Sequence, residues 1–177
     1  MKAEIRTSTL EIIQGDITAQ DTIAVVNAAN KALAPGGGVA GAIHKSAGPL
    51  LYEECRKIAP CETGEAKITK AYNLPNEFVI HTVGPVYHGT DLDAFLLAKC
   101  YSNSLKLAEE HNIPSIAFPA ISTGIFGYPV EEAAQIAIKE IINFLNKGSK
   151  ILLVRMVLYD NNSFEVHKKT LKNILSL

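Results

Sequence analysis

Two runs of the chain have residue types suited to holding an anionic ligand. The first is Val25 to His44, VVNAANKALAPGGGVAGAIH, and the second is Pro119 to Pro129, PAISTGIFGYP. In the first, Asn27 and Asn30 each offer amide donors and an acceptor. Pro35 interrupts regular structure, and Gly36, Gly37 and Gly38 admit backbone geometries closed to other residues. Val39 to Ala47 then reads as helix, so the glycines fall at a helix N-terminus, where unpaired N–H groups and the dipole favour an anion. Ser122 to Tyr128, also rich in small residues, can turn further N–H groups toward the same diphosphate. Neither run has a well-placed Glu, Cys or Lys, so the chemistry implied is orientation and electrostatics, without a protein nucleophile.

Gly36 to Gly41 matches G-x-G-x-x-G literally. A dinucleotide fingerprint opens the turn directly after its strand and is followed by an acidic residue at the end of the next strand. Here the glycines stand well past the strand, and Glu62 lies in a loop-like context. No G-x-x-x-x-G-K-[ST] occurs, which excludes a Walker-type nucleotide hydrolase.

The elements that must position these runs follow from periodicity. TIAVV, residues 22–26, is apolar and β-branched, as a strand covered on both faces should be. Ahead of it, Ala3–Arg6 and Leu10–Gln14 read as a hairpin, then Gly15 to Thr18 as a turn that Asp16 can cap. Helices are expected over Val39–Ala47 and Leu50–Ile58, with Pro60 beyond, and strands over Glu65–Asn73 and Glu77–Val83. His81, inside an apolar run, reads as a hydrogen-bonded core histidine. Thr90 to Asp93 resembles a capping box opening a helix to about Asn112, and Ser115–Phe118 is a short strand. Val130–Asn146 carries a wide apolar stripe, Ile151–Leu158 is an apolar strand, and Ser163 is the expected cap of a last helix. Strands alternate with helices from residue 22 onward. The expected fold class is therefore α/β, a three-layer α/β/α sandwich with a mixed, mostly parallel central sheet, in one domain over residues 1–177.

Composition narrows the class further. With 47% hydrophobic and 20% charged residues the chain is an ordinary globular sequence, and its net charge of −1 gives no basic patch for nucleic acid as main partner. Cys55, Cys61 and Cys100 are odd in number and lack C-x-x-C spacing, so neither a disulfide framework nor a metal site is expected. No apolar run approaches membrane-spanning length, and the N-terminus has no apolar leader core. These features predict a reduced, cytoplasmic protein that needs no cofactor and no membrane.

Taken together, GDIT (15–18), VVNAAN (25–30), GGGVAGAIH (36–44), HTVGP (81–85) and PAISTGIFGYP (119–129) resemble the macrodomain family, in that family's order and with a terminal VLYD. The resemblance implies a three-layer ADP-ribose-binding domain whose partner is ADP-ribose or an ADP-ribosylated protein. It also implies hydrolysis of an ester at the distal ribose, on mono-ADP-ribosylated acidic side chains or O-acetyl-ADP-ribose. A non-catalytic reader and an ADP-ribose 1″-phosphate phosphatase are the alternatives. By position, Asp16 would accept from the adenine amine, with Ile17 giving backbone contact. Asn30 would hold the distal ribose and, with His44 supporting the loop, form the catalytic set, while Asn27 would shape the loop and count among the ligand-binding residues. Gly37, Gly38 and Val39 would line the distal ribose and phosphate. Ser122, Thr123, Gly124, Ile125 and Phe126 would wrap the diphosphate, the Phe126 ring covering the distal ribose. Tyr159 either stacks on adenine or is a half-buried rim aromatic. One position departs from the pattern: many protein-hydrolysing relatives carry Asp where this chain has Ala40, although other family members with Ala there, viral ones included, still hydrolyse. The paired glutamates of poly(ADP-ribose)-cleaving members are missing near residues 36–48.

Overall fold

The computed structural model describes residues 1–177. It contains strands β1 Lys2–Ile5, β2 Ser8–Gln14, β3 Ala24–Ala28, β4 Ala66–Lys70, β5 Phe78–Thr82, β6 Ser115–Phe118 and β7 Leu153–Leu158. Helices α1 Gly38–Ala47, α2 Pro49–Ile58, α3 Asp91–Glu110, α4 Val130–Asn146 and α5 Asn161–Leu175 connect and cover them. The sheet order is β1-β2-β7-β6-β3-β5-β4, with antiparallel pairing only at the two edges, β1 with β2 and β4 with β5. The expected mixed, mostly parallel sheet with helices on both faces is what forms.

Alternation along the central strands creates the three layers. Ala24 and Val26 of β3 face one core with Ile80, Ile116, Phe118, Val154 and Met156. Val25, Val79, Ala117 and Val157 face the other, beneath α1 and α2. Being covered on both faces, these strands are near-continuous apolar runs, the pattern that made them legible.

Two caps act as the sequence suggests. Thr90 and Asp93 form a reciprocal capping box at α3, and Asp16 caps a single 3₁₀ turn over Ile17–Ala19. At α5 the expectation fails. Asp160 is the cap, its carboxylate accepting from the Ser163 N–H at 2.8 Å, and Ser163 lies within the first turn. Either residue type caps helices well, so residue preference could not choose between two candidates three positions apart.

His81 is a core histidine, fully buried on β5. The Asn27 amide donates to Nδ1 at 3.1 Å, which leaves Nε2–H to donate to Thr69 Oγ1 at 2.9 Å. Burial pushes its pKa down to about 3, and burial also lowers those of His44 and His167. A histidine whose folded pKa is depressed binds its proton only on unfolding, so stability is full above the unfolded value of about 6.5 and falls below it. Asp16, Asp21 and Asp93 have lowered pKa values and stabilise only down to the acid range below about 4. Urea unfolding should therefore show stability lost between about pH 6.5 and 4, at up to about 1.4 kcal/mol per pH unit for each neutral histidine. A flat profile across that window would show that these rings are hydrated in the native state.

Candidate functional site

Strands β2, β3, β5, β6 and β7 run parallel, and a cleft opens across their carboxyl ends, the place where open α/β sheets bind ligands. It has two lobes that share Gly38, Val39, Ala120 and Gly124. The lobe of about 360 Å³ is lined by Asn30, Gly36 to Ala40, Gly84, Ile121, Ser122, Ile125 and Phe126. The other, about 880 Å³, is lined by Gly15 to Thr18, Lys45, Ser46, Thr123, Val157 to Asp160 and Ser163.

Between the lobes, two rows of backbone N–H groups have no partner within the protein. The N–H groups of Gly36 through Ala40 enter or begin α1 and donate no hydrogen bond; the first bond of that turn runs from Gly41 N–H to Gly37 O. Gly38 has φ +55°, a left-handed setting favouring glycine, and it turns the chain into the helix. Across the cleft, Ser122 through Phe126 likewise donate no backbone hydrogen bond, although the loop closes through Gly127 N–H to Gly124 O and Tyr128 N–H to Ser122 O. Ser122 itself has φ +67°. That strain is held by its hydroxyl, which donates to Pro85 O at 2.7 Å. Unpaired N–H groups on a fixed loop and at a helix N-terminus make an anion cradle.

Each end of the cradle has its own polar chemistry. At the large lobe, Asp16 Oδ1 accepts from Thr18 N–H (2.9 Å) and the Thr18 hydroxyl (2.7 Å), while Oδ2 makes no bond. Those Thr18 bonds hold the Asp16 carboxyl below its ordinary pKa, so it stays ionised. Asp16 is thus a cap and a cleft residue at once, and the Ile17 N–H beside it is unpaired. Tyr159 lines the same lobe at 87% exposure, which rules out the half-buried rim reading. At the small lobe, Asn30 Oδ1 accepts from Ala34 N–H (2.9 Å) and Nδ2 donates to Ala34 O (2.8 Å). One N–H and one lone pair of that amide remain for a ligand.

Two expected site residues lie elsewhere. Asn27, expected to contact ligand as well as shape the loop, turns into the core, where its amide holds His81. Its place two residues after Val25 on β3 fixes this, because alternate side chains of a strand share a face and Val25 faces the core beneath α1 and α2. His44, placed in the catalytic set, is buried on the far side of α1 with its ring edge-on to Tyr52 at 6.3 Å. Neither of its ring nitrogens has a hydrogen-bond partner and it does not line the cleft, so it supports α1 by packing. Conversely, residue-by-residue reading gave no role to Gly84, Lys45 or Ser46. Gly84 was within reach, since it sits in HTVGP at a strand end; Lys45 and Ser46 follow only once the face of α1 is known.

Fold and site define a three-layer α/β/α domain with an N–H-lined cleft over the carboxyl ends of its parallel strands. The Macro domain family model matches residues 26–137, and the chain belongs to that family. It is 54% identical to a macro domain-containing protein of Chlorobaculum tepidum, over 92% of this chain and 95% of that one. It is 48% identical to a Klebsiella pneumoniae protein named O-acetyl-ADP-ribose deacetylase, over 91% of this chain and 95% of that protein. The Oceanobacillus iheyensis macrodomain, solved with ADP, superposes with a TM-score of 0.96 at 44% identity, covering 99% and 96% of the two chains. No helix here is long and apolar enough to cross a membrane.

Proposed function

We propose that the chain binds ADP-ribose and hydrolyses an ester at its distal ribose, releasing ADP-ribose and a free carboxylic acid. The observation that carries this reading is the pair of facing, unpaired N–H rows at Gly36–Ala40 and Ser122–Phe126, set between an acidic end and an amide end. The rows suit a diphosphate, Asp16 the adenine amine, and Asn30 with the Phe126 ring the distal ribose. The Klebsiella pneumoniae deacetylase supports an ester as the bond broken. In this mechanism the ligand's phosphate and Asn30 hold water against the distal ribose, and the fixed N–H groups stabilise charge as it develops. No protein nucleophile takes part: Cys55, Cys61 and Cys100 are buried, with thiol pKa values pushed up to about 11 by burial.

A reader without catalysis is the second reading, and Ala40 favours it, because this buried wall of the small lobe carries no carboxylate to activate water. Release of ADP-ribose from a peptide mono-ADP-ribosylated on glutamate, and from O-acetyl-ADP-ribose, separates the two. Hydrolysis above the buffer rate is the expected result; tight ADP-ribose binding without it would leave the reader.

The adenine end has a sharper test in Asp16→Asn. Its carbonyl oxygen keeps the Thr18 bonds, so the cap and the melting temperature of the free protein should hold. Its amide would then face the adenine amine donor to donor in place of Oδ2. Losing one charge-assisted hydrogen bond, about 1.5–3 kcal/mol, should weaken ADP-ribose roughly ten- to hundredfold by calorimetry. Unchanged affinity would confine Asp16 to its capping role.

A further inference from the structure

The geometry points to a polypeptide-binding half of the site: the groove beyond Phe126 receives the chain flanking the esterified carboxylate and seats an apolar side chain against Val86, Leu92 and Leu96. The inference rests on the reading of the cleft as an ADP-ribose ester site. The groove, about 510 Å³, shares Asn30, Gly84 and Phe126 with the small lobe. A group carried on a distal ribose seated in the small lobe would adjoin this groove across those three shared residues. An acetyl group would fill only a small fraction of such a volume, whereas a chain of several residues fits its open side.

Chemistry along the groove favours an apolar occupant. Val86 is 47% exposed and Leu92 62%, two large apolar side chains of the groove presented to water, and Phe95, 56% exposed, lies outside the lining on the same helix as Leu92. Leu92, Phe95 and Leu96 share one face of the first turns of α3 by their spacing. Clustered exposure of this kind marks an interaction surface more than scattered single residues do. The nearby charges are already committed. Asp93 accepts from His88 N–H at 2.6 Å and Thr90 N–H at 3.2 Å, and Lys31 pairs with Glu62 at 3.4 Å across the rim. The walls are also fixed to the ligand loop, since Tyr87 N–H donates to Phe126 O at 2.9 Å and the Ser122 hydroxyl to Pro85 O at 2.7 Å. A groove held in shape before binding loses little entropy when it is filled.

The test compares three probes by calorimetry: ADP-ribose, and two peptides ADP-ribosylated through an amide in place of the ester, one with leucine beside the linkage and one with serine. The leucine peptide should bind the wild-type protein about tenfold more tightly than ADP-ribose, in line with burial of one apolar side chain, and the serine peptide about as ADP-ribose does. Leu92→Asp should remove the leucine gain and leave ADP-ribose affinity within twofold. An aspartate in the first turn of α3 suits the helix dipole, and Val86→Asp provides an independent variant on a separate segment of the lining. Equal affinities for all three probes, or a leucine gain that survives both variants, would overturn the inference. Absence of ADP-ribose binding would overturn the reading of the cleft and this inference with it. A leucine gain in a protein that hydrolyses nothing would uphold the groove and refute only the hydrolase.

Discussion

Replacement of Asn30 by alanine is expected to slow ADP-ribose release about a hundredfold while weakening ADP-ribose binding less than tenfold. Loss of one preorganised donor at a developing charge has an effect of that size. The split follows if the amide group left over after bonding Ala34 acts on the water and distal ribose more strongly in the transition state than in the ground state. Asn30 also closes its own loop, and that second role must be separated. Asn30→Asp keeps the acceptor for Ala34 N–H and lacks the amide donors. If orientation by the donor matters, single-turnover release should be as slow in Asn30→Asp as in Asn30→Ala, with the loop better preserved. Equal loss of turnover and affinity in both variants would assign Asn30 to loop shape alone.

Gly84→Ala is expected to damage fold and binding together. A Cβ there would collide with Ser122 Oγ and lie 2.6 Å from Ile121 Cγ2. The collision is with the loop that presents the N–H row, at the residue already held at φ +67°. Overpacking of this kind costs about 1–3 kcal/mol, or roughly 2–12 °C in Tm for a domain of this size. Because Ser122 must move, the bond to Pro85 O is lost and the N–H row shifts, so ADP-ribose should bind at least about tenfold more weakly. Full affinity with a lowered Tm would show that the loop re-forms around the added methyl.

The order of elements and the layer architecture could be read from the sequence because burial on both faces forces a distinctive pattern. TIAVV and Ile151–Leu158 are nearly continuous apolar runs, interrupted only by Thr22 and Arg155, and the stripe of Val130–Asn146 admits one period. The capping box at Thr90 was equally plain, since its two residues satisfy each other. Positions within the site were legible where the backbone does the work, as at Gly36–Gly38 and Ser122–Phe126, because glycine and small residues mark unusual backbone paths whatever surrounds them. Side-chain roles depended on direction, which a linear pattern does not fix. Asn27 and Asn30 are the same residue type three positions apart, yet one is turned into the core against His81 and the other lines the cleft. Likewise His44 falls inside a motif but faces Tyr52 behind α1.

What the sequence alone determined is therefore the set of strands and helices and the two N–H-rich loops, since these arise from local propensity and burial period. Tertiary structure decided which side chains meet. Gly84 became a site residue only because β5 places it against Ser122, a contact between residues distant in the chain. The groove of Val86, Leu92 and Phe126 likewise exists only where three separate segments converge. Such convergence is set by packing across the whole sheet, and no window of sequence contains it.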